Sequence, residues 1–348
     1  MSKILIVPIA GESKRYPNNR PKWLLTHPKG NLMLIESIMG CLPKKFNKII
    51  IVGLKKHEAK YRCFNSIKEE LKKINENIII HLLDEPTKNQ PETIMTALRG
   101  LNIKSDSIFI KDCDNYFKIN KIPAFNGVCV GNILEYPNIQ VNNKSYVCLG
   151  KSKEIVNIVE KHVISNYFCC GGYFFSSAKS FIDGYNDIKN EENIYISHII
   201  YKRILEKENY FTFPVKNYLD WGTEEDWIKY TQNFKTIFVD IDGCLVKSSA
   251  EFFDPRWGTT EGLERNVKHL NALYNTGKVQ IILTTSRKTS YRQITEDQLK
   301  KIGFKYDTLI MDLYHAKRYL INDYSKSFPT AIAINLKRDA ENLENFLK

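Results

Sequence analysis

The segment 9–15, with the sequence IAGESKR, combines a glycine, a serine and basic side chains after an apolar run. Gly11 would let a phosphate approach the backbone because it has no Cβ, and Ser13 offers a hydroxyl and a backbone N–H. Arg15 can donate two parallel hydrogen bonds to a phosphate, and Lys22 adds a point charge. These groups predict a site for a nucleoside triphosphate, where they would stabilise charge on the α-phosphate and on departing pyrophosphate.

Carboxylates at two other places could hold the metal ion that accompanies a triphosphate. Asp114 follows the apolar run 107–110, and Asp220 lies in the sequence LDWGT. A carboxylate at the carboxyl end of a sheet strand lies where α/β proteins bind their ligands. Two such groups can hold one Mg²⁺, which prefers oxygen ligands. Glu160 and Lys161, after another apolar run, add a cation that could bind a second phosphate.

A second group of residues suits a different phosphate chemistry. Asp240 and Asp242 lie two residues apart in the sequence FVDIDGC. One carboxylate could attack phosphorus while the other protonates the leaving oxygen and later activates water. This chemistry needs Mg²⁺ to screen the nucleophile from the phosphate. Further along the chain, a hydroxyl, an amine and a third carboxylate that could complete the site come from Thr285, Lys317 and Asp323.

Strand-like and helix-like runs alternate around the first group. This alternation predicts a mostly parallel sheet with helices on both faces, and the Tyr- and Val-rich segment 128–175 would insert short strands. The sequence thus predicts an α/β domain over residues 1–233 with a β-rich insertion. We predict its strands at 4–8, 48–52, 78–82 and 107–110, and its helices at 32–41, 56–75, 92–101, 178–188, 195–206 and 226–233.

A smaller α/β domain is predicted over residues 236–348. Its segment 246–261 is too short for a large cap, so its site would be open to solvent. The junction before it has no Gly/Pro/Ser-rich linker. We predict strands at 235–240, 279–284, 308–311 and 319–321, and helices at 262–276 and 294–302.

The composition limits the class of protein. A length of 348 residues favours two domains, and no apolar run approaches the 18 or so residues of a membrane span. Eight scattered cysteines without Cys-x-x-Cys spacing favour reduced thiols in the cytoplasm. The net charge of +12 is spread along the chain, which argues against nucleic acid and suits small anionic substrates. The sequence is compatible with a homo-oligomer.

Over residues 1–233 the motifs resemble, in order, those of the sugar-phosphate nucleotidyltransferases, which have a GT-A-like, Rossmann-like core. Ser13 stands where the commonest version has its second glycine, and a serine there resembles a capsule-associated subgroup. Cys113 and His162 replace a glycine and a proline of the family. The matching segments are 9–16 (IAGESKRY), 21–25 (PKWLL), 113–117 (CDNYF), 160–161 (EK), 170–175 (CGGYFF) and 220–227 (DWGTEEDW).

This resemblance implies in-line attack by a phosphate monoester on the α-phosphate of an NTP, with release of pyrophosphate and no covalent enzyme intermediate. It leaves the acceptor open among sugar phosphates and small polyol or amino-alcohol phosphates. By position, it assigns Arg15 and Lys22 to the phosphates, Ala10, Gly11 and Ser13 to the nucleotide, Gln90 and Thr93 to the base, Asp114 and Asp220 to Mg²⁺, and Glu160 and Lys161 to the acceptor.

Residues 236–330 resemble the phosphatases of the haloacid-dehalogenase (HAD) superfamily. The matching segments are 240–245 (DIDGCL), 284–287 (TTSR), Lys317 and 322–323 (ND). Cys244 stands where Thr or Val is usual, and Asn322 replaces one of two common acids. The resemblance assigns nucleophile and acid to Asp240 and Asp242, phosphate binding to Thr285, the amine to Lys317, and a second Mg²⁺ to Asp240, Asp242 and Asp323.

Together the two resemblances predict a bifunctional enzyme that makes an NDP-activated precursor for surface polysaccharide. One domain would transfer a nucleotidyl group and the other would hydrolyse a phosphate monoester. Two alternatives remain open: a transferase with a catalytically silent HAD domain, and a regulatory protein that only binds nucleotides.

Overall fold

The structure is a computed structural model that describes residues 2–13, 15–16, 20–137, 139–248, 256–325 and 328–347. Lys14, in the first motif, and residues 249–255, in the short cap segment, lie outside this range. The chain forms two compact units, Met1–Thr231 and Gln232–Lys348. In the described part of the chain, no helix is long and apolar enough to cross a membrane.

The first unit is a mixed α/β structure, as the alternation of elements predicted. Its strands are β1 (Lys3–Pro8), β2 (Lys48–Leu54), β3 (Ile78–Leu83), β4 (Ser107–Lys111), β5 (Asn115–Lys118), β6 (Gly127–Asn132), β7 (Ser145–Leu149), β8 (Ile155–Glu160), β9 (Tyr167–Phe175), β10 (Phe211–Pro214) and β11 (Lys216–Asp220). Its α-helices are α1 (Met33–Met39), α2 (Lys55–Tyr61), α3 (Phe64–Lys72), α4 (Gln90–Gly100), α5 (Ala178–Ile188), α6 (Ile196–Leu205) and α7 (Glu224–Thr231). Short 3₁₀ turns lie at Lys22–Leu24, Pro43–Lys45, Ile133–Glu135 and Val141–Asn143.

The large sheet has the strand order β10-β6-β9-β4-β1-β2-β3. β1 lies in the interior and pairs in parallel with β2 and β4, while β9 runs antiparallel to β4 and β6. β1 and β2 are buried along nearly their whole length, because helices cover both faces of a parallel sheet. The predicted β-rich insertion is the β6–β9 region, where β7 and β8 form a hairpin beside β9.

The prediction of one helix over 56–75 was wrong, because the chain breaks there into α2 and α3. Arg62 ends α2 with a φ of 48°, in the left-handed region that few side chains favour. The Glu58 carboxylate then accepts the backbone N–H of Phe64 at 2.9 Å, at the start of α3. The helical periodicity continues through the break, so the sequence pattern alone did not reveal it.

The second unit contains a three-stranded parallel sheet with the order β12-β13-β14. The predicted strand at 319–321 was wrong: this run is irregular, and Tyr319, Leu320 and Ile321 are 84%, 61% and 94% exposed. An apolar run becomes a strand only where a ladder partner and a buried face are available. The elements are β12 (Lys235–Asp240), α8 (Glu264–Asn275), β13 (Val279–Thr284), α9 (Arg292–Lys301), β14 (Thr308–Ile310), β15 (Tyr324–Ser325) and β16 (Phe328–Pro329), with 3₁₀ turns at Thr289–Tyr291 and Leu343–Asn345.

Candidate functional site

A pocket of about 790 Å³ opens in the first unit, beyond the carboxyl ends of β1 and β4. This volume is typical of sites for small molecules and cofactors. The structure brings together in it all the residues that the first motif set predicted for nucleotide, metal and acceptor. These are Ala10, Gly11, Ser13, Arg15, Lys22, Gln90, Thr93, Asp114, Glu160, Lys161 and Asp220.

The loop after β1 is shaped for close approach to a ligand. A Cβ on Gly11 would meet no protein atom within 4 Å, so the space beside it is free for a ligand. Ser13 has a φ of 53°, a conformation that favours glycine. Its side chain compensates by accepting the backbone N–H of Lys22 at 3.1 Å, and its carbonyl accepts the N–H of Tyr16 at 2.8 Å. The positive φ shows that a glycine would suit this position.

Asp114 lies just after β4 and is neutralised by two cations. Its Oδ2 is 2.5 Å from Lys22 Nζ and 3.3 Å from Arg15 Nη2. Burial by itself would raise the pKa of Asp114, but Lys22 and Arg15 hold it well below its ordinary value. Burial would lower the pKa of Lys22, yet the charge of Asp114, with smaller contributions, leaves it above its ordinary value. Both groups are therefore charged in the ligand-free pocket.

Asp220 ends β11, which pairs antiparallel with β5 and places Asp220 opposite Asn115. The next residue, Trp221, donates its N–H to the Asp114 carbonyl at 2.9 Å, so the two aspartates lie on neighbouring strand ends. Asp220 Oδ2 is 2.5 Å from the ammonium of Lys144. The buried Tyr16 hydroxyl reaches the carbonyl of Trp221 at 2.5 Å, so it ties the loop after β1 to this segment.

The chemistry of this donor set fits Mg²⁺. Asp114 and Asp220 are hard oxygen donors, and each is held by a cation, which shows that the site accommodates positive charge. Among the described residues, no group of three or more His, Cys, Asp or Glu side chains could hold a metal ion. Mg²⁺ characteristically binds through one or two carboxylates and takes its other ligands from phosphates and water.

One end of the pocket is built around Asp112, which sequence reasoning did not single out. Gln90, the first residue of α4, donates its side-chain amide to Asp112 Oδ1 at 2.6 Å. Burial, together with the charge of Asp114, raises the pKa of Asp112 to about 6. Thr93 lies one turn further along α4, with its hydroxyl 2.5 Å from that of Thr87. The bond to Asp112 fixes the amide of Gln90 so that its carbonyl oxygen is left to accept a hydrogen bond.

The other end of the pocket contains Glu160 and Lys161. Glu160 Oε2 accepts hydrogen bonds from Ser145 and, at 2.7 Å, from Ser197. Lys161 has a φ of 54°, and its ammonium lies 2.7 Å from the hydroxyl of Tyr195. A carboxylate and an ammonium thus face the same space, which suits a substrate that carries both hydroxyl groups and a phosphate.

Sequence reasoning missed the residues that hold the predicted site in place. Asp112 lies two residues before Asp114, and its spacing was visible in the sequence KDCDN. Lys144, by contrast, precedes β7 in a segment without a motif, and it is 76 residues from Asp220. No periodicity or spacing connects the two, so only the fold could reveal their contact.

In the second unit, β12 and β13 bring part of the second motif set together. Asp240, the last residue of β12, lies opposite Thr284 in the parallel ladder, so Thr285 follows directly at the same sheet edge. Asp240 Oδ1 accepts the N–H of Ile241 at 3.0 Å and lies 3.3 Å from Arg318 Nη2. This edge therefore presents a carboxylate and a guanidinium, whereas Thr285 is buried and its hydroxyl accepts the backbone N–H of Arg287 at 3.2 Å.

Asp242 is bound by a fully buried arginine, a contact that the sequence did not predict. Arg287 donates from Nε and Nη2 to the two carboxylate oxygens, each at 2.8 Å. Its Nη1 donates to Gln298 at 2.9 Å and to Thr295 at 3.2 Å, both on α9. The guanidinium has no solvent exposure, while the Asp242 side chain is 20% exposed. Both oxygens of Asp242 thus act as acceptors for Arg287.

The remaining residues of the second motif set are not assembled around Asp240. Lys317 and Asp323 are exposed, and Asp323 accepts the hydroxyl of Thr330 with its backbone carbonyl at 2.6 Å. The described residues contain no metal-holding group of three carboxylates here either. As they stand in the structure, Asp240, Asp242 and Asp323 do not fit a shared Mg²⁺ ion.

No protein-family model matches the sequence, and no curated protein resembles it closely enough to count as a relative. Solved structures do match its fold. A nucleoside-diphosphate-sugar pyrophosphorylase from Vibrio cholerae RC9 superimposes with a TM-score of 0.56 at 16% identity, covering 65% of this chain and 98% of its own. An inositol-1-phosphate CTP transferase from T. maritima gives 0.51 at 14% identity, covering 64% and 90%.

A UDP-glucose pyrophosphorylase, solved as a complex with UDP-glucose, gives a TM-score of 0.52 at 16% identity and covers 66% of this chain and 97% of its own. At such low identities the likeness shows the fold. The structural neighbours are sugar-phosphate nucleotidyltransferases, and the prediction of a Rossmann-like nucleotidyltransferase fold is confirmed. The HAD-like fold of the second unit stays a prediction. Over about two thirds of its length, the chain therefore has the fold of the nucleotide-sugar pyrophosphorylases.

Proposed function

We propose that the first unit transfers a nucleotidyl group from an NTP to the phosphate of a small phosphorylated acceptor and releases pyrophosphate. The observation that carries this proposal is that one pocket contains two cations, two carboxylates and a pair of side chains suited to the acceptor. These are Arg15 and Lys22, Asp114 and Asp220, and Glu160 and Lys161. The nucleotidyltransferase fold supports it. The product would be an NDP-activated sugar or alcohol, of the kind used for surface polysaccharide.

The roles follow from the positions of the side chains. Arg15 and Lys22 lie beside the open loop at Gly11, where their charges would stabilise the triphosphate and the pyrophosphate leaving group. Binding of phosphate would give these cations a new partner in place of Asp114. Gln90 would read the base through its carbonyl oxygen, because its amide group is oriented by donating one hydrogen bond to Asp112.

Asp114 and Asp220 would hold Mg²⁺, which screens phosphate charge and orients the α-phosphate when it is bound. At the far end, Glu160 would accept hydrogen bonds from acceptor hydroxyl or amino groups, and Lys161 would bind the acceptor phosphate. The reaction joins an acceptor phosphate oxygen to the α-phosphorus and breaks the bond to the β-phosphate. The protein positions both reactants and forms no covalent bond itself.

The proposal is tested by incubating the full chain with each of four NTPs, Mg²⁺ and a library of phosphate monoesters, and measuring pyrophosphate. Release should depend on both the NTP and an acceptor. Lys22→Ala should lower kcat/KM by about a hundredfold or more, the usual effect of removing a group that stabilises transition-state charge. Lys72→Ala, which removes an exposed lysine paired with Glu69 on α3, should match the parent protein. Equal rates in the two variants would contradict the assignment.

We further propose that the second unit hydrolyses a phosphate monoester, with Asp240 as the nucleophile. The supporting observation is the placement of Asp240 and Thr285 at the same edge of the parallel sheet, with Arg318 beside the carboxylate. Arg318 would screen the carboxylate from the phosphate, Asp240 would attack phosphorus, and the leaving alkoxide would take a proton from water; the resulting hydroxide would cleave the aspartyl phosphate, releasing phosphate and restoring Asp240. Asp240→Asn should abolish phosphate release from a panel of esters. Equal release by parent and variant would favour the alternative of a silent second unit.

A further inference from the structure

Lys144 is a half-buried lysine of the pocket that belongs to no motif. Its Nζ lies 2.5 Å from Asp220 Oδ2 and 2.8 Å from the hydroxyl of Tyr218, and it lies over the Tyr218 ring at 5.4 Å from the ring centre. The Lys144 and Asp220 side chains are only 14% and 19% exposed. This contact therefore occupies one of the two carboxylates that would hold the metal.

The backbone of Lys144 belongs to the acceptor end of the pocket. Its carbonyl accepts the N–H of Lys161 at 3.0 Å, and its neighbour Ser145 donates to the Glu160 carboxylate. Lys144 thus extends from the acceptor end, where its main chain lies, to the metal end, where its ammonium lies. No other charged side chain described above has this position between the two.

A divalent cation at Asp220 and the Lys144 ammonium cannot share the same carboxylate oxygen without strong repulsion. When the metal binds, the ammonium must leave Asp220, and in a partly buried pocket it needs another anion. The phosphate of the acceptor is the anion that the proposed reaction brings to this side of the metal. A lysine side chain is long and flexible enough to make such a change of partner.

We propose that Lys144 neutralises Asp220 while the pocket is empty and binds the acceptor phosphate once the metal–nucleotide complex is in place. This inference rests on the proposed transferase function. It also gives the order of events: a free metal ion must compete with the ammonium for Asp220, whereas a metal that arrives with a nucleotide brings phosphates that engage Lys22 and Arg15. The free protein therefore binds metal weakly, and the nucleotide strengthens that binding.

The first test uses Mn²⁺ alone as the probe, measured by electron paramagnetic resonance on the full-length protein without substrates. Lys144→Met should bind Mn²⁺ about fivefold more tightly than the parent, since a partly exposed ion pair contributes on the order of 1 kcal/mol and every 1.4 kcal/mol is tenfold. Lys144→Arg keeps the charge and should retain weak binding. Lys216→Met is the control, because it removes an exposed lysine from β11, the strand that ends at Asp220. Unchanged or weaker Mn²⁺ binding in Lys144→Met would overturn the proposal.

The second test measures steady-state kinetics with the acceptor that the pyrophosphate screen identifies. Lys144→Met should raise the KM for the acceptor about tenfold, because it removes the ammonium that would bind the acceptor phosphate, and it should not raise the KM for the NTP, because that ammonium competes with the metal for Asp220. An unchanged acceptor KM in an active enzyme would refute the phosphate-binding role. The Mn²⁺ experiment needs no turnover, so its result stands or falls independently of whether the transferase reaction itself is observed.

Discussion

Replacing Asp242 by asparagine tests what this carboxylate does in the second unit. The motif resemblance assigns it a proton-donating role, whereas the structure shows both of its oxygens bound by Arg287. A proton on either oxygen would displace one of these bonds. If the contact with Arg287 is structural, Asp242→Asn should destabilise the unit as well as affect any hydrolysis.

The size of the effect follows from the burial of the two partners. Arg287 is fully buried, so loss of Asp242 leaves a guanidinium without a counter-charge. Breaking a buried pair in this way costs about 3–5 kcal/mol. Asparagine keeps one acceptor oxygen, and Asp242 is 20% exposed. We therefore expect Asp242→Asn to lower the free energy of unfolding of this unit by about 3 kcal/mol, which raises the opening equilibrium constant roughly a hundredfold. Arg287→Met should cost less, because the carboxylate left behind can reach water.

Hydrogen exchange of the full-length protein, measured peptide by peptide, separates the two units. In Asp242→Asn, amides of β13 and α9 should exchange roughly a hundredfold faster, while those of β1 and β2 keep their protection. Arg287→Met should affect the same peptides less. Unchanged exchange in β13 and α9, combined with lost phosphate release, would refute the structural role and favour the proton donor.

Three further predictions concern the first unit. Tyr16→Phe removes a buried hydroxyl bonded to carbonyls after β11 and should lower the free energy of unfolding in urea by about 1–2 kcal/mol; an unchanged midpoint would contradict this. Gly171→Ala, in β9, should lower the thermal midpoint by several degrees, because φ is +76° and a Cβ would lie 2.4 Å from Asp112 Oδ2; an unchanged midpoint would contradict this. Burial lowers the pKa of His27, whose Nδ1 accepts the N–H of Lys29, so the unfolded chain takes up its proton first as the pH falls. Stability should therefore be lost as the pH drops through about 6.5, and thermal midpoints of His27→Asn between pH 7.5 and 5.5 should fall less steeply than those of the parent; equal slopes would contradict this.

The part of the fold that could be predicted from sequence is the part that local patterns determine. The apolar, β-branched runs predicted the strands β1, β12 and β13 correctly, but only β1 is buried along nearly its whole length, whereas β12 is mostly exposed. The loop after β1 and Asp114 after β4 could be predicted because parallel strands bring their carboxyl ends to one edge, whereas Glu160 and Asp220 end the antiparallel strands β8 and β11 and were found by their motifs. Most of the pocket residues that were predicted therefore lie in short sequence segments that follow one another in a fixed order.

The rest depends on contacts that no local pattern encodes. The partners of Lys144 and Arg287 lie 76 and 45 residues away, and neither pair has a spacing rule. The break at Arg62 is decided by one residue with positive φ and by a carboxylate that caps the next helix, while the apolar periodicity runs on. For 319–321, β-favouring side chains did not suffice, since exposure of the run leaves it without a buried face.

The aspartates of the two proposed sites differ in the cations that bind them. This difference bears on each of the two proposed activities. In the first unit, Asp114 and Asp220 are held by lysines that are 16% and 14% exposed, and a phosphate entering the pocket can take those ammonium groups as partners. In the second unit, Asp242 is held by an arginine with no exposure and with two further bonds to α9, which no ligand can reach without disrupting the core. The first pair can therefore exchange its cations for a metal as substrates bind. In the second pair only Asp240 has a carboxylate that is not held by a buried cation, so the proposed hydrolysis would depend on Asp240.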